Sequence, residues 1–236
     1  YMAWGASANS TANTTGYLAL GGGAAFNTTE ANRNTKFRAA GTLSKLYVRL
    51  TANGITSDST FRTRKNAGNG GQSVSLTAST TGEFADASGT DTIASTDLIA
   101  FQFVPGAAAN TITITIASVL FSATTNTVTR VLHSEAFNRP TASTTWFALI
   151  GGHTGTAQTS ETNQKCRMRK GGTFKNAGCY VSANRAQTTT VRLRKNGGNG
   201  NAAVSITGGG GAGWYEDTSS SDTVSAGEDW NWSIVT

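Results

Sequence analysis

Only 14% of the 236 residues are charged, while Gly reaches 28 and Thr, Ser, Asn and Ala fill most of the remainder, so solubility rests on hydroxyls and amides. The net charge of +6 favours anionic partners, but without any run of Lys or Arg it argues against nucleic acid. No stretch approaches the roughly 20 apolar residues of a membrane helix, and the opening Tyr1-Met2-Ala3-Trp4-Gly5 lacks the basic segment and apolar run of a secretory leader.

In chain order, residues 1–16 form a polar lead-in that carries Met2 and Trp4 at strand spacing. Strands are predicted around 17–20, 35–38, 43–51, 60–65, 73–78, 83–85, 97–104 and 111–121. Leu46, Val48 and Leu50 alternate with Tyr47 and Arg49, and Ile112, Ile114 and Ile116 alternate with threonines. A period of two puts one face in a core and the other in solvent. Residues 66–70 and 196–200, rich in Asn and Gly, read as turns because both residue types tolerate positive φ. Residues 17–121 are thus one repeat, 122–139 a linker and 140–236 a second repeat.

The second repeat restates the first. Thr28-Thr29-Glu30-Ala31-Asn32 returns as Thr159-Ser160-Glu161-Thr162-Asn163, and Arg62-Thr63-Arg64-Lys65-Asn66 as Arg192-Leu193-Arg194-Lys195-Asn196. Asp86 and Asp91 return as Asp217 and Asp222. Repeat 2 reaches Thr236 with no counterpart of strand 111–121. A sheet lacking that strand leaves unpaired backbone groups and an uncovered core. The expectation is that the N-terminal segment of another copy, through Met2 and Trp4, adds to repeat 2 as a donor strand. The alternative is that a longer native chain supplies its own strand.

Gly41-Thr42-Leu43-Ser44-Lys45-Leu46-Tyr47-Val48, the Arg-x-Arg-Lys-Asn turn and the stretch Val224-Ser225-Ala226-Gly227-Glu228-Asp229 together resemble a repeat found in phage and bacterial surface proteins. That repeat is similar to the jelly-roll sandwich of tumour-necrosis-factor-like and complement C1q-like domains. The resemblance implies an all-β fold of two tandem antiparallel β-sandwiches of jelly-roll type, at a virion surface or in an extracellular setting. Complement C1q-like relatives imply trimers. Thr96-Asp97 in repeat 1, and Glu228 between Gly227 and Asp229 in repeat 2, depart from the family's Gly-Asp turn.

Several constellations have two readings. Arg62 and Arg64, with Arg192 and Arg194, sit at i, i+2 on one strand face. They form either a basic stripe that docks on an acidic virion or cell surface, or a solvated face that keeps an edge from pairing. Asp86 and Asp91 read as loop residues, forming local turns rather than holding calcium, which usually takes more carboxylates. Trp230 and Trp232 align with Ile99 and Phe101 and read as core, whereas Trp214 aligns with Glu83 and is the better contact residue. Cys166 and Cys179 occur only in repeat 2. They are two small buried thiols or, if a hairpin turns near Gly172-Thr173, a cross-strand disulfide. Asn9, Asn13 and Asn27 stand in N-glycosylation patterns, as does Asn231 within a predicted strand.

His133 and His153 have no partner position in repeat 1, and no carboxylate pair is nominated by spacing. The sequence therefore implies no enzyme, cofactor or metal. It implies a structural subunit that assembles with copies of itself, as a virion decoration or fibre protein or an extracellular filament. The competing class is an adhesin or carbohydrate-binding module.

Overall fold

In the computed structural model the chain divides into two compact units, Tyr1–His133 and Ser134–Thr236. The structure describes residues 2–11 (backbone only), 14–20, 26–106, 111–125, 145–148, 150, 158–183 and 186–236. Both units are built of antiparallel sheets in a β-sandwich-like arrangement, and among the described residues each has one short 3-10 turn, at Glu30–Arg33 and Glu161–Gln164.

Unit 1 contains β1 (Met2–Thr11), β2 (Gly16–Leu18), β3 (Thr35–Lys36), β4 (Gly41–Asn53), β5 (Ser59–Lys65), β6 (Gly68–Leu76), β7 (Gly82–Ile93), β8 (Leu98–Val104) and β9 (Thr111–Ala123). One sheet runs β1-β9-β4-β7 and the other β2-β8-β5-β6, with β3 also paired to β8. The alternation read from the sequence fills the space between them. Leu43, Leu46, Val48 and Leu50 of β4 meet Ile112, Ile114, Val119 and Phe121 of β9, and Phe61, Leu76, Phe101 and Phe103 close the core from the opposite sheet.

Unit 2 contains β10 (Trp146–Ala148), β11 (Cys166–Arg167), β12 (Gly172–Val181), β13 (Thr189–Lys195), β14 (Gly198–Ile206), β15 (Gly213–Val224) and β16 (Asp229–Val235). One sheet runs β10-β16-β13-β14, with β11 also on β16, and the other holds only β12 and β15 among the described residues. Its core gathers Leu193, Val204, Val224 and Trp230, with Phe174, Cys179 and Trp232 partly buried against it.

Two local devices recur. The β5–β6 hairpin turns on Asn66-Ala67 and the β13–β14 hairpin on Asn196-Gly197, all four residues at positive φ. This is the two-residue geometry that matches strand twist. The turns are therefore shorter than predicted, and β6 and β14 begin at Gly68 and Gly198. The second device is a bulge: Lys45 (φ 58) and Asn176 (φ 59) interrupt β4 and β12 at the same place.

The sequence reading requires three corrections. Asp86 and Asp91 lie within the long strand β7, and Asp217 and Asp222 within β15, not in loops. Ser, Gly and Asp crowd these stretches, and their low strand propensity hides a strand held by side-chain hydrogen bonds. The lead-in is not a free tail: β1 pairs along β9, with Met2 opposite Phe121 and Trp4 opposite Val119. The hairpin on which the alternative of a Cys166–Cys179 disulfide depended does not form, because β11 pairs with β16 and β12 with β15.

Candidate functional site

The charged residues that recur in both units are consumed in holding turns. Arg64 forms a two-pronged contact with Glu30, Nε to Oε1 at 3.3 Å and Nη2 to Oε2 at 3.0 Å. Arg194 repeats it with Glu161 at 2.8 and 3.1 Å. Each guanidinium also donates into its own hairpin turn, to Asn69 Oδ1 and the Ala67 carbonyl, or to Asn199 Oδ1 and the Gly197 carbonyl. All four ion-pair side chains are less than one-fifth exposed, at 13%/13% and 16%/18%, so water screens the pairs only partly. The Arg194 hydrogen bonds lead in holding the Glu161 carboxyl below the usual carboxylate range. This fork geometry is what a planar guanidinium supplies and an ammonium does not.

The next two residues extend the clamp. Lys65 Nζ donates to the Thr92 carbonyl at 2.6 Å and lies 3.3 Å from Asp97; Lys195 reaches the Thr223 carbonyl at 3.0 Å and Glu228 at 3.4 Å. Asn66 accepts from Leu98 N and donates to Asp97 Oδ1, while Asn196 accepts from Asp229 N and donates to Glu228 Oε1. Glu228 therefore takes the role of Asp97, although the sequence suggests an intervening residue.

The recurring aspartates fix the bulge. Asp86 accepts from Ser88 N and Gly89 N within β7 and from Ser73 N on β6. Asp217 accepts from Ser219 N, Ser220 N and Ala203 N. These bonds hold both carboxyls below their ordinary range, led by the amide of Gly89 for Asp86 and of Ala203 for Asp217. Asp91 is buried with Thr63 Oγ1 at 2.7 Å and Gln72 Nε2 at 3.0 Å, and Asp222 accepts from the amides of Asn201 and Ala202 at 2.8 Å. Among the described residues no group of three or more His, Cys, Asp or Glu side chains converges on a metal-sized site.

The remaining expected contact residues disperse. β5 and β13 are central strands, so their arginines guard no edge. Arg192 donates to the Gly200 carbonyl at 3.1 Å, and the buried Nε of Arg62 has no partner among the described residues. Trp214 stands opposite Tyr180, ring centroids 5.8 Å apart, on the face of β12–β15 away from Cys179. Trp230 is 1% exposed and packs 4.6 Å from Phe174, whereas Trp232 is half-buried. Cys166 and Cys179 are free thiols; Cys166 donates to the Ile150 carbonyl, and burial pushes the Cys179 thiol up to about 11. Asn231 is 1% exposed, which removes it as a glycan acceptor. His133, His153 and Asn13 lie outside the described residues.

Sequence reasoning missed the Arg–Glu clamp. The signal was present, because the Thr/Ser-Glu-x-Asn block and the Arg-x-Arg-Lys-Asn block recur together.

What the clamps leave unaccounted for is the edge of β12. Its counterpart β4 pairs with β7 on one side and β9 on the other. β12 pairs with β15, and no described residue pairs with its other edge. Leu43, Val48 and Leu50 are 0–2% exposed, while Phe174, Cys179 and Val181 at the matching places are only half-buried.

The sequence matches no protein-family model and no curated protein.

Proposed function

We propose that this chain is a non-enzymatic structural subunit that assembles with copies of itself, as a virion surface component or in an extracellular filament. Each unit is read as a jelly-roll sandwich. The strand order of unit 1 supports that reading, because from β4 to β9 the chain passes between the sheets at the β4–β5, β6–β7, β7–β8 and β8–β9 connections. The recurring Arg64, Lys65, Asp86 and Asp91, with Arg194, Lys195, Asp217 and Asp222, favour a structural role, since these side chains are occupied by turns, a bulge or a neighbouring strand.

The observation that carries assembly is the edge of β12 that pairs with no described residue, with its half-buried Phe174, Cys179 and Val181. Unpaired strand edges beside apolar surface recruit further strands. Light scattering across a concentration series, with electron microscopy of the same samples, tests this. Regular oligomers or filaments are expected, and a monomer at every concentration overturns the reading.

A second reading, a carbohydrate-binding module, is favoured by the Tyr180–Trp214 ring pair on the outer face of β12–β15. Retention on a glycan array that Trp214→Ala abolishes would select it.

A further inference from the structure

The duplicated fold allows the side of β12 on which no described residue pairs to be compared with the occupied side of β4. In unit 1, β9 lies antiparallel to β4 with Ala123 opposite Gly41, Phe121 opposite Leu43 and Ile114 opposite Leu50. Gly41 is required there: a Cβ at that position would stand 2.4 Å from the Ser122 carbonyl oxygen and 2.5 Å from the Phe121 ring. Gly172 occupies the same place at the start of β12, and a Cβ there would meet nothing within 4 Å. It is not among the residues at positive φ. A glycine inside a strand costs conformational entropy and supplies no packing, and no described group around Gly172 requires one. The requirement returns if a strand with an aromatic residue lies over it, as β9 does over Gly41.

We propose that the open edge of β12 accepts one antiparallel strand with the pattern of β9, presented by another polypeptide chain, and that Gly172 seats the aromatic residue of that strand. The inference rests on the assembly reading and names the partner of its site. The incoming strand carries apolar residues in alternation on the face toward Phe174, Cys179 and Val181, with hydroxyl residues between them. Its backbone satisfies the unpaired groups of β12, and its apolar face completes the burial that Leu43, Val48 and Leu50 already have in unit 1. Pairing of two β12 edges with each other is the competing geometry.

A labelled synthetic peptide with the sequence of Thr111–Ala123 is the probe, read by fluorescence anisotropy and by hydrogen exchange of the full chain. The expected result is saturable one-to-one binding with slowed exchange across residues 172–181. Gly172→Ala should unfold like the parent chain, because its new methyl group touches nothing, yet bind the peptide about tenfold more weakly or worse. A Phe121→Ala peptide should lose affinity in the same way. Equal binding by Gly172→Ala, or no protection of 172–181, overturns the proposal. Protection of 172–181 in a peptide-free monomer assigns the edge to the chain's own residues and also overturns it. Protection in a peptide-free dimer that Gly172→Ala does not disturb assigns it to paired β12 edges, with the same consequence. Regular oligomers that form while 172–181 stays unprotected overturn this inference and leave the assembly reading standing. Peptide binding by a chain that is monomeric at every concentration supports the acceptor and removes self-assembly.

Discussion

β4 and β12 share a bulge, a partner strand held through an aspartate, and a starting glycine, but among the described residues β4 is paired on both edges and β12 on one. The hairpin clamps, Arg64 with Glu30 and Arg194 with Glu161, are nearly superimposable in chemistry despite that difference. The contrast separates two layers of the fold. Turn chemistry, bulges and ion pairs are set by residues that recur within each repeat, and they persist in unit 2, where no described strand covers the second edge of β12. Burial of the β4-type strand is not local and depends on what lies beside it.

The largest effect that can break this comparison comes from paired core truncations. Phe101→Ala, at a position 0% exposed, should destabilise unit 1 by about 3–5 kcal/mol in denaturant melts. Trp232→Ala, at the matching but half-buried position, should cost unit 2 about 1–2 kcal/mol. Equal losses would mean that both cores are equally covered.

Acid comes next. Asp217 has its folded pKa lowered by the amides of Ala203 and Ser220, so its contribution is fully present above the unfolded value near 4. As pH falls through that value towards the folded one, unit 2 should lose stability, and Asp86 should act in the same direction in unit 1. Stability measured between neutral pH and strong acid should therefore fall, and Asp217→Asn should flatten the slope for unit 2. An unchanged slope would remove the bulge carboxylate from the account.

The clamps should respond alike. Glu30→Gln and Glu161→Gln should each cost about 1–2 kcal/mol, because the pairs are partly buried rather than exposed. A loss confined to one unit would show that the repeated geometry is not repeated energetics. The smallest effect concerns the hairpin turn: Ala67 sits at φ 62 where Gly197 sits at φ 81. Ala67→Gly should stabilise unit 1 and Gly197→Ala destabilise unit 2, each by about 0.5–1 kcal/mol in thermal melts.

Much of the fold was legible because it follows from alternation. Leu46, Val48 and Leu50, or Ile112 and Ile114, announce a half-buried strand, and Asn-Gly announces the turn. Strand β7 was legible only at 83–85: its Asp86-Ala87-Ser88-Gly89 stretch carries loop chemistry, and pairing with β4 and the Asp86 contact to Ser73 on β6 make it a strand with a bulge. Strand β1 was recognised by the spacing of Met2 and Trp4, but its partner depends on long-range pairing that spacing does not encode. At the candidate site, Arg64 and Arg194 read as a docking stripe or a solvated face because a charge looks the same in sequence whether or not a carboxylate 34 or 33 residues away meets it.

Residue-resolved hydrogen exchange on dilute and assembled samples tests the central claim most directly. The account expects amides of 41–53 to be protected at every concentration, while amides of 172–181 exchange quickly in the dilute chain and slow on assembly. Protection of 172–181 equal to that of 41–53 in the isolated monomer would contradict it.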